Sequence, residues 1–185
     1  MLYDREQAAQ RAEASTTNDY GMCQQWTRTR FGAPSVGDYD GDGAADAEDG
    51  WKAAKHRHPG DRNPPRGVPV YYDGGSRDNG HAAVSLGGGK IRSTDAAGRE
   101  RVGTVDLGWP ERAWGMRYLG WAEDLGGQVV PLPPAPPVKK VRRPEVRAAL
   151  AALRKVRDTA KTATGRRKAQ RAIDQVKKDF PGSER

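Results

Sequence analysis

Residues 131–144 read PLPPAPPVKKVRRP. Six prolines in fourteen residues remove the backbone donors that a helix interior or a central strand requires, and each fixes its own φ. The Lys and Arg residues that follow repel one another. Such a stretch is an extended spacer, and no packed element runs through it. The 185-residue chain is therefore cut into a module over 1–130, a basic linker over 131–144 and an appendage over 145–181.

Charge divides at the same place. From Val138 to Arg185 there are 16 basic and 5 acidic residues, and the first 137 residues carry 16 basic and 19 acidic. The net charge of +8 belongs entirely to the tail, so the two parts meet different electrostatic tasks. A single cysteine, Cys23, excludes an intrachain disulfide, so the fold does not rest on an oxidising compartment. No apolar run approaches membrane-spanning length. The opening MLYDREQAAQRAEAS has acids and no apolar core, unlike a secretory signal peptide. Action outside a cytoplasm would then require another agent of release or carriage.

The module changes character once. Residues 4–15 and 22–31 read as helices, the second closed by Gly32-Ala33-Pro34, and a further short helical stretch is GWKAAKHRH. From GVPVYY at 67–72 the pattern is β: GHAAVSL and KIRSTD flank Gly87-Gly88-Gly89 as a hairpin, and RVGTVDLG and MRYLGWAE are two further strands. Helices followed by a meander predict an α+β fold ending near 130. In the tail, Val146, Ala149, Leu150, Leu153 and Val156 recur at helical spacing, as do Ala169, Ala172, Ile173, Val176 and Phe180. An interruption at Thr164-Gly165 predicts a helical hairpin. Its stripe is thin and Ala-rich, which invites packing on another copy or a partner.

Cys23 stands in GMCQQWTR, at the start of a predicted helix. A cysteine can be a small apolar core residue. At a helix N-terminus the oriented N–H groups instead favour the thiolate. A nucleophilic thiol needs a base, and the base needs a polar group to fix its tautomer. His56 and His58 read as exposed loop residues, which leaves His81. With a three-residue hairpin loop, Leu86 pairs with Lys90, Ala83 with Ser93 and His81 with Asp95, which puts Asp95 beside the imidazole. A four-residue loop shifts the register by one, and Ser93 is the alternative orienter. Gln24, or the backbone N–H of Cys23, is the expected oxyanion donor. Trp26, Tyr71, Tyr72 and Trp114 read as core or groove walls.

This order of a Cys opening a helix, a small sheet, a His beginning a strand in GHAAVSLGGG and a polar residue ending the next strand resembles the papain-like peptidoglycan hydrolases, the superfamily of CHAP domains. RGVPVYYDGGSRDNGHAAVSLGGGKIRSTD is similar to the catalytic domains of actinobacteriophage endolysins. The likeness covers about residues 18–125 and omits the tail. It implies a papain-like fold, Cys23 as nucleophile, His81 as base, and cleavage of an amide in the peptide part of bacterial cell wall. Amidase and endopeptidase share this machinery. The protein would reach the wall through a holin, or be carried in a virion.

A second motif lies between the helices. In VGDYDGDGAADAEDGW, residues Asp38, Asp40, Asp42, Asp46 and Asp49 occupy positions 1, 3, 5, 9 and 12 of an EF-hand-like loop. Gly43 takes the sharp bend and Ala44 would offer its carbonyl. Five carboxylates so close repel without a cation, so the loop predicts structural Ca2+. In the tail, Lys139, Lys140, Arg142, Arg143, Arg166, Arg167 and Lys168 form clusters suited to an anionic wall polymer. Phe180 is the tail's one aromatic residue and no reading motif accompanies it, which disfavours nucleic acid. The competing expectations are a noncatalytic, calcium-dependent wall binder and a basic nucleic-acid-binding protein.

Overall fold

The computed structural model describes residues 1–39, 41–75, 78–134 and 143–180, Arg143 by its backbone alone. Contacts divide the chain into two units, 1–134 and 135–185, in keeping with the proline stretch. The first unit is α+β: three helices, a six-stranded antiparallel sheet with one short helix among its strands, and a two-stranded ribbon.

Helix α1 (Arg5–Glu13) begins with a capping box in which Asp4 accepts from Gln7 N–H and Gln7 returns the bond. Helix α2 is Cys23–Arg30 and α3 is Ala47–Ala53. The strands are β1 (Arg57–Pro59), β2 (Pro69–Asp73), β3 (His81–Gly87), β4 (Lys90–Ser93), β5 (Gly103–Asp106) and β6 (Arg117–Ala122), in sheet order β1-β6-β2-β3-β4-β5. Helix α4 (Trp109–Trp114) joins β5 to β6, and β7 (Asp124–Leu125) pairs with β8 (Gln128–Val129).

Strands β2 and β3 are buried on both faces, so their period-two alternation serves two cores. Val84 meets Ala8, Ala12, Trp26 and Phe31 of the helical layer, and Tyr71 and Ala82 meet Ala47 and Ala54. On the other face Val70, Tyr72 and Ala83 pack with Ile91, Leu107, Tyr118 and Trp121. Alanines at the helix contacts let the layers approach closely. Gly67 serves the same end: at φ +76°, a Cβ there would lie 1.8 Å from the Arg5 carbonyl oxygen.

Two expectations about the sheet need correction. The stretch GWKAAKHRH is not one helix. Helix α3 starts earlier, at Ala47, because Asp46 and Asp49 cap it, and Arg57–Pro59 becomes edge strand β1 paired with β6. His58 there stacks on Trp121, with ring centroids 3.7 Å apart, and its Nε2 lies 2.9 Å from Glu123 Oε1. The hairpin turn is also tighter than expected. Gly87 rather than Leu86 pairs with Lys90, through a bulge, and Gly88 and Gly89 turn at φ +59° and +73°. Beyond the bulge Ser85↔Ile91 and Val84↔Arg92 restore the expected register.

In the second unit α5 (Arg143–Thr159) and α6 (Ala163–Asp179) form the hairpin. Val146, Leu150 and Ile173 are buried, with Leu153 and Val176 packed against them. The break lies at 160–162 rather than at Thr164-Gly165, because Thr162 Oγ1 accepts from Gly165 N–H at 3.1 Å and starts α6 there. No helix among the described residues is long and apolar enough to cross a membrane.

Candidate active site

Cys23 is the first helical residue of α2. It packs against the cluster of Ala47, Tyr71 and Ala82, where α2 crosses the start of β3. Burial pushes its thiol up to about 11. The backbone N–H groups of Ala82 and Gln24 pull the other way, and the charges of Asp46 and Asp95 add to the rise. At this thiol burial outweighs the helix end: the gain from the N–H groups is smaller than the cost of desolvating the charge.

His81 opens β3 and is 5% exposed. Its ring meets Trp114 edge-on at 5.1 Å. Burial pulls its pKa down to about 4. Nε2 lies 2.8 Å from Ser93 Oγ, and that hydroxyl donates to the Thr94 carbonyl at 3.1 Å. Ser93 has one proton to give, so its oxygen accepts from Nε2–H. This assignment gives the Nε2–H tautomer, which puts the lone pair on Nδ1. Ala82, whose N–H faces the Cys23 sulfur, is the next residue along β3. Among the described residues no hydrogen bond joins thiol and imidazole.

Asp95 does not reach the ring. Strand β4 ends at Ser93 and Asp95 turns away at φ +57°. Its Oδ2 accepts from Asn18 Nδ2 at 3.2 Å, its Oδ1 from Glu100 N–H at 2.7 Å, and its own N–H reaches Asn18 Oδ1 at 3.3 Å. The in-register partner is lost because a left-handed residue cannot continue a strand. Asp95 instead ties the segment before Cys23 to the turn after β4. Asn18 was legible only as a cap former and Trp114 only as a wall; neither pairing has a local sequence signal.

Gln24 is 3% exposed, and a Cβ built on Gly50 would meet its amide within 2.8 Å. Its side chain lies beneath α3, with neither amide atom hydrogen-bonded to the protein, so it does not offer an oxyanion donor to an open groove. The Cys23 N–H, which has no intrahelical acceptor at this position, remains for that role.

In the acidic loop, Asp38 accepts from Gly41 and Gly43 N–H, and Asp42 from Ala44 N–H. Asp49 is fully buried, with Oδ1 accepting from Tyr39 N–H at 2.7 Å and Oδ2 from Asp46 N–H at 3.2 Å. Asp46 accepts from Glu48 and Asp49. Asp40 lies outside the described residues. Asp46 and Asp49 thus close the loop onto α3, and a cation would share oxygens already bonded to backbone. No group of three metal-ligating side chains is found among the described residues.

In the tail, Arg166, Arg167 and Lys168 are exposed on α6, and Arg166 Nη1 also donates to the Ala160 carbonyl at 2.9 Å. Arg143 opens α5. Lys139, Lys140 and Arg142 lie outside the described residues. Comparison with family models, with curated proteins and with solved structures finds no match to this chain.

Proposed function

We propose that residues 1–134 are a papain-like cysteine hydrolase that cuts an amide in the peptide part of bacterial cell wall, as an endolysin or a virion-borne enzyme would. The observation that carries this reading is the contact of His81 Nε2 with Ser93 Oγ at 2.8 Å. With Ser93 accepting from Nε2–H, Nδ1 is left as the basic nitrogen, on a strand whose next backbone N–H faces the Cys23 sulfur.

Both groups rest neutral, so the reaction starts with proton transfer from Cys23 Sγ to His81 Nδ1 as substrate excludes water. Sulfur attacks the amide carbon, and the carbonyl oxygen takes the charge opposite the Cys23 N–H. Nδ1–H passes its proton to the leaving nitrogen as the C–N bond breaks. His81 Nδ1 then deprotonates water, which attacks the thioester carbonyl; the C–S bond breaks, the carboxylic acid leaves and the proton on Nδ1 returns to sulfur. Ser93 is a positioning residue throughout.

Loss of turbidity of purified actinobacterial walls tests this. Wild type is expected to clear them, and Cys23→Ser to lose activity by at least about a thousandfold. Equal behaviour of the two proteins overturns the reading. The half-buried thiol, packed against Ala47, Tyr71 and Ala82, supports one competitor, a noncatalytic wall binder in which Cys23 is packing. That competitor predicts wall binding without clearing by either protein.

Calcium belongs to the same proposal. Asp38, Asp42, the Ala44 carbonyl and the loop-closing Asp46 and Asp49 are the oxygens that would hold it. Bound there, it would neutralise the acidic loop that leads into α3, whose Ala47 packs in the Cys23 cluster. For the tail we propose attraction to anionic wall polymers through Arg166, Arg167, Lys168 and the basic residues of 139–143.

A further inference from the structure

A groove of about 670 Å³ runs along the outer side of α2. Met22, Gln25, Trp26 and Thr29, at helical spacing, form one wall, and Arg99 and Arg101 from the turn before β5 form the other. It includes Met22, the cap residue of α2 and the chain neighbour of Cys23. It also includes Asn18, which is hydrogen-bonded to Asp95.

Two arginines here lack an acid. Arg30 lies over the Trp26 ring at 5.2 Å and donates from Nη2 to Thr29 Oγ1 at 3.2 Å, but its Nε is buried with no acceptor. Burial, together with the nearby charge of Arg11, works against its proton. Arg101 is exposed and makes no ion pair among the described residues. Arg99 does have an acid, Glu100, at 3.8 Å. A guanidinium that is half-desolvated, stacked and unpaired is poised for an anion with planar oxygens. Asp19 and Glu100 in the lining would repel a compact dianion such as phosphate, and they suit a ligand that also carries an amine.

We infer that this groove is a carboxylate-recognition subsite, in which Arg30 and Arg101 hold a free carboxylate of a mixed-charge peptide whose scissile amide lies at Cys23. The choice of a peptide rests on the hydrolase reading, whereas the choice of a carboxylate rests on the arginines alone. The guanidiniums would form bidentate bonds to the carboxylate, Trp26 would brace the Arg30 plane, and the Met22 side chain would cover the peptide next to the thiol.

The test uses the full chain with Cys23→Ser, so that ligand is bound and not consumed. An acetylated four-residue peptide containing glutamate and lysine is titrated by calorimetry, once with its carboxylates free and once with both amidated; inorganic phosphate is the third probe. The free acid is expected to bind at least about tenfold more tightly than the amide, and Arg101→Gln, an exposed substitution that leaves the core intact, to remove most of that difference. Arg30→Lys should weaken the acid while leaving the amide unchanged. Equal binding of acid and amide, no binding of either, or phosphate binding as tightly as the acid would each overturn the subsite. Wall clearing by wild type is read separately. Clearing without acid preference sinks the groove and spares the hydrolase, and acid preference without clearing does the reverse.

Discussion

His81 is a buried base with a pH signature. In the folded protein its ring stays neutral down to about pH 4, whereas in the unfolded chain it takes a proton near about 6.5. Between those values the unfolded state binds more protons, so the His81 contribution is complete above about 6.5 and is lost as pH falls toward 4. The difference amounts to roughly 3 kcal/mol. Urea midpoints measured at pH 7 and pH 4.5 should fall accordingly for wild type, and His81→Gln should flatten that interval; an unchanged slope would mean the ring titrates normally. At this scale the sequence was informative about residue types and poor about partners. Cys23, His81 and Ser93 could be named from order and alternation. Whether Ser93 or Asp95 holds the ring depended on where β4 ends, a backbone property of Asp95 that no local pattern specifies. Asp124 is a further residue that could not be anticipated. It is fully buried, and its carboxylate accepts the N–H groups of Lys55, His56 and Gly127, two of them nearly seventy residues away in sequence.

Among the elements, the long periodic ones were legible and the short ones were not. The amphipathic spacing of α5 and α6 and the apolar, β-branched and aromatic run of β2 appear directly in the chain. Helix α4 has six residues and carries Pro110 in its first turn, too short for periodicity to register; its only marks are Gly108 before it and the left-handed Gly115 after it. Edge strand β1 was hidden inside a helical composition. The acidic loop and α3 act as one element, since Asp46 and Asp49 serve both. If calcium occupies the loop, melting temperature should rise with added Ca2+, fall with chelator, and lose that response in Asp38→Ala; identical melting curves would leave the loop as an α3 cap alone. The tail hairpin depends on few large side chains, so Ile173→Ala should cost roughly 2–4 kcal/mol, read as loss of helical circular dichroism in that unit at temperatures the first unit survives.

At the scale of the whole molecule, the cysteine and the excess positive charge are segregated. The acid-rich first unit holds the thiol, and the second holds the excess positive charge. A chain ended after Pro134 should keep its fold by circular dichroism and clear walls at low salt, while losing the salt-sensitive part of wall binding measured by pull-down. If binding is unchanged without the tail, the basic clusters are only a solvated surface. The proline stretch made this division visible from composition alone, while the first unit's internal arrangement required long-range pairing to be seen. One such pairing has an architectural consequence. Arg5 N–H donates to the Pro131 carbonyl at 2.9 Å, and Tyr3 N–H to that of Phe31, so the first unit begins and ends at one spot on its surface. A unit closed on itself in this way is a cassette. The two ends of the unit can be joined and new ones opened in an exposed loop, or the whole can be inserted into another protein's surface loop, because the host need only bridge neighbouring points.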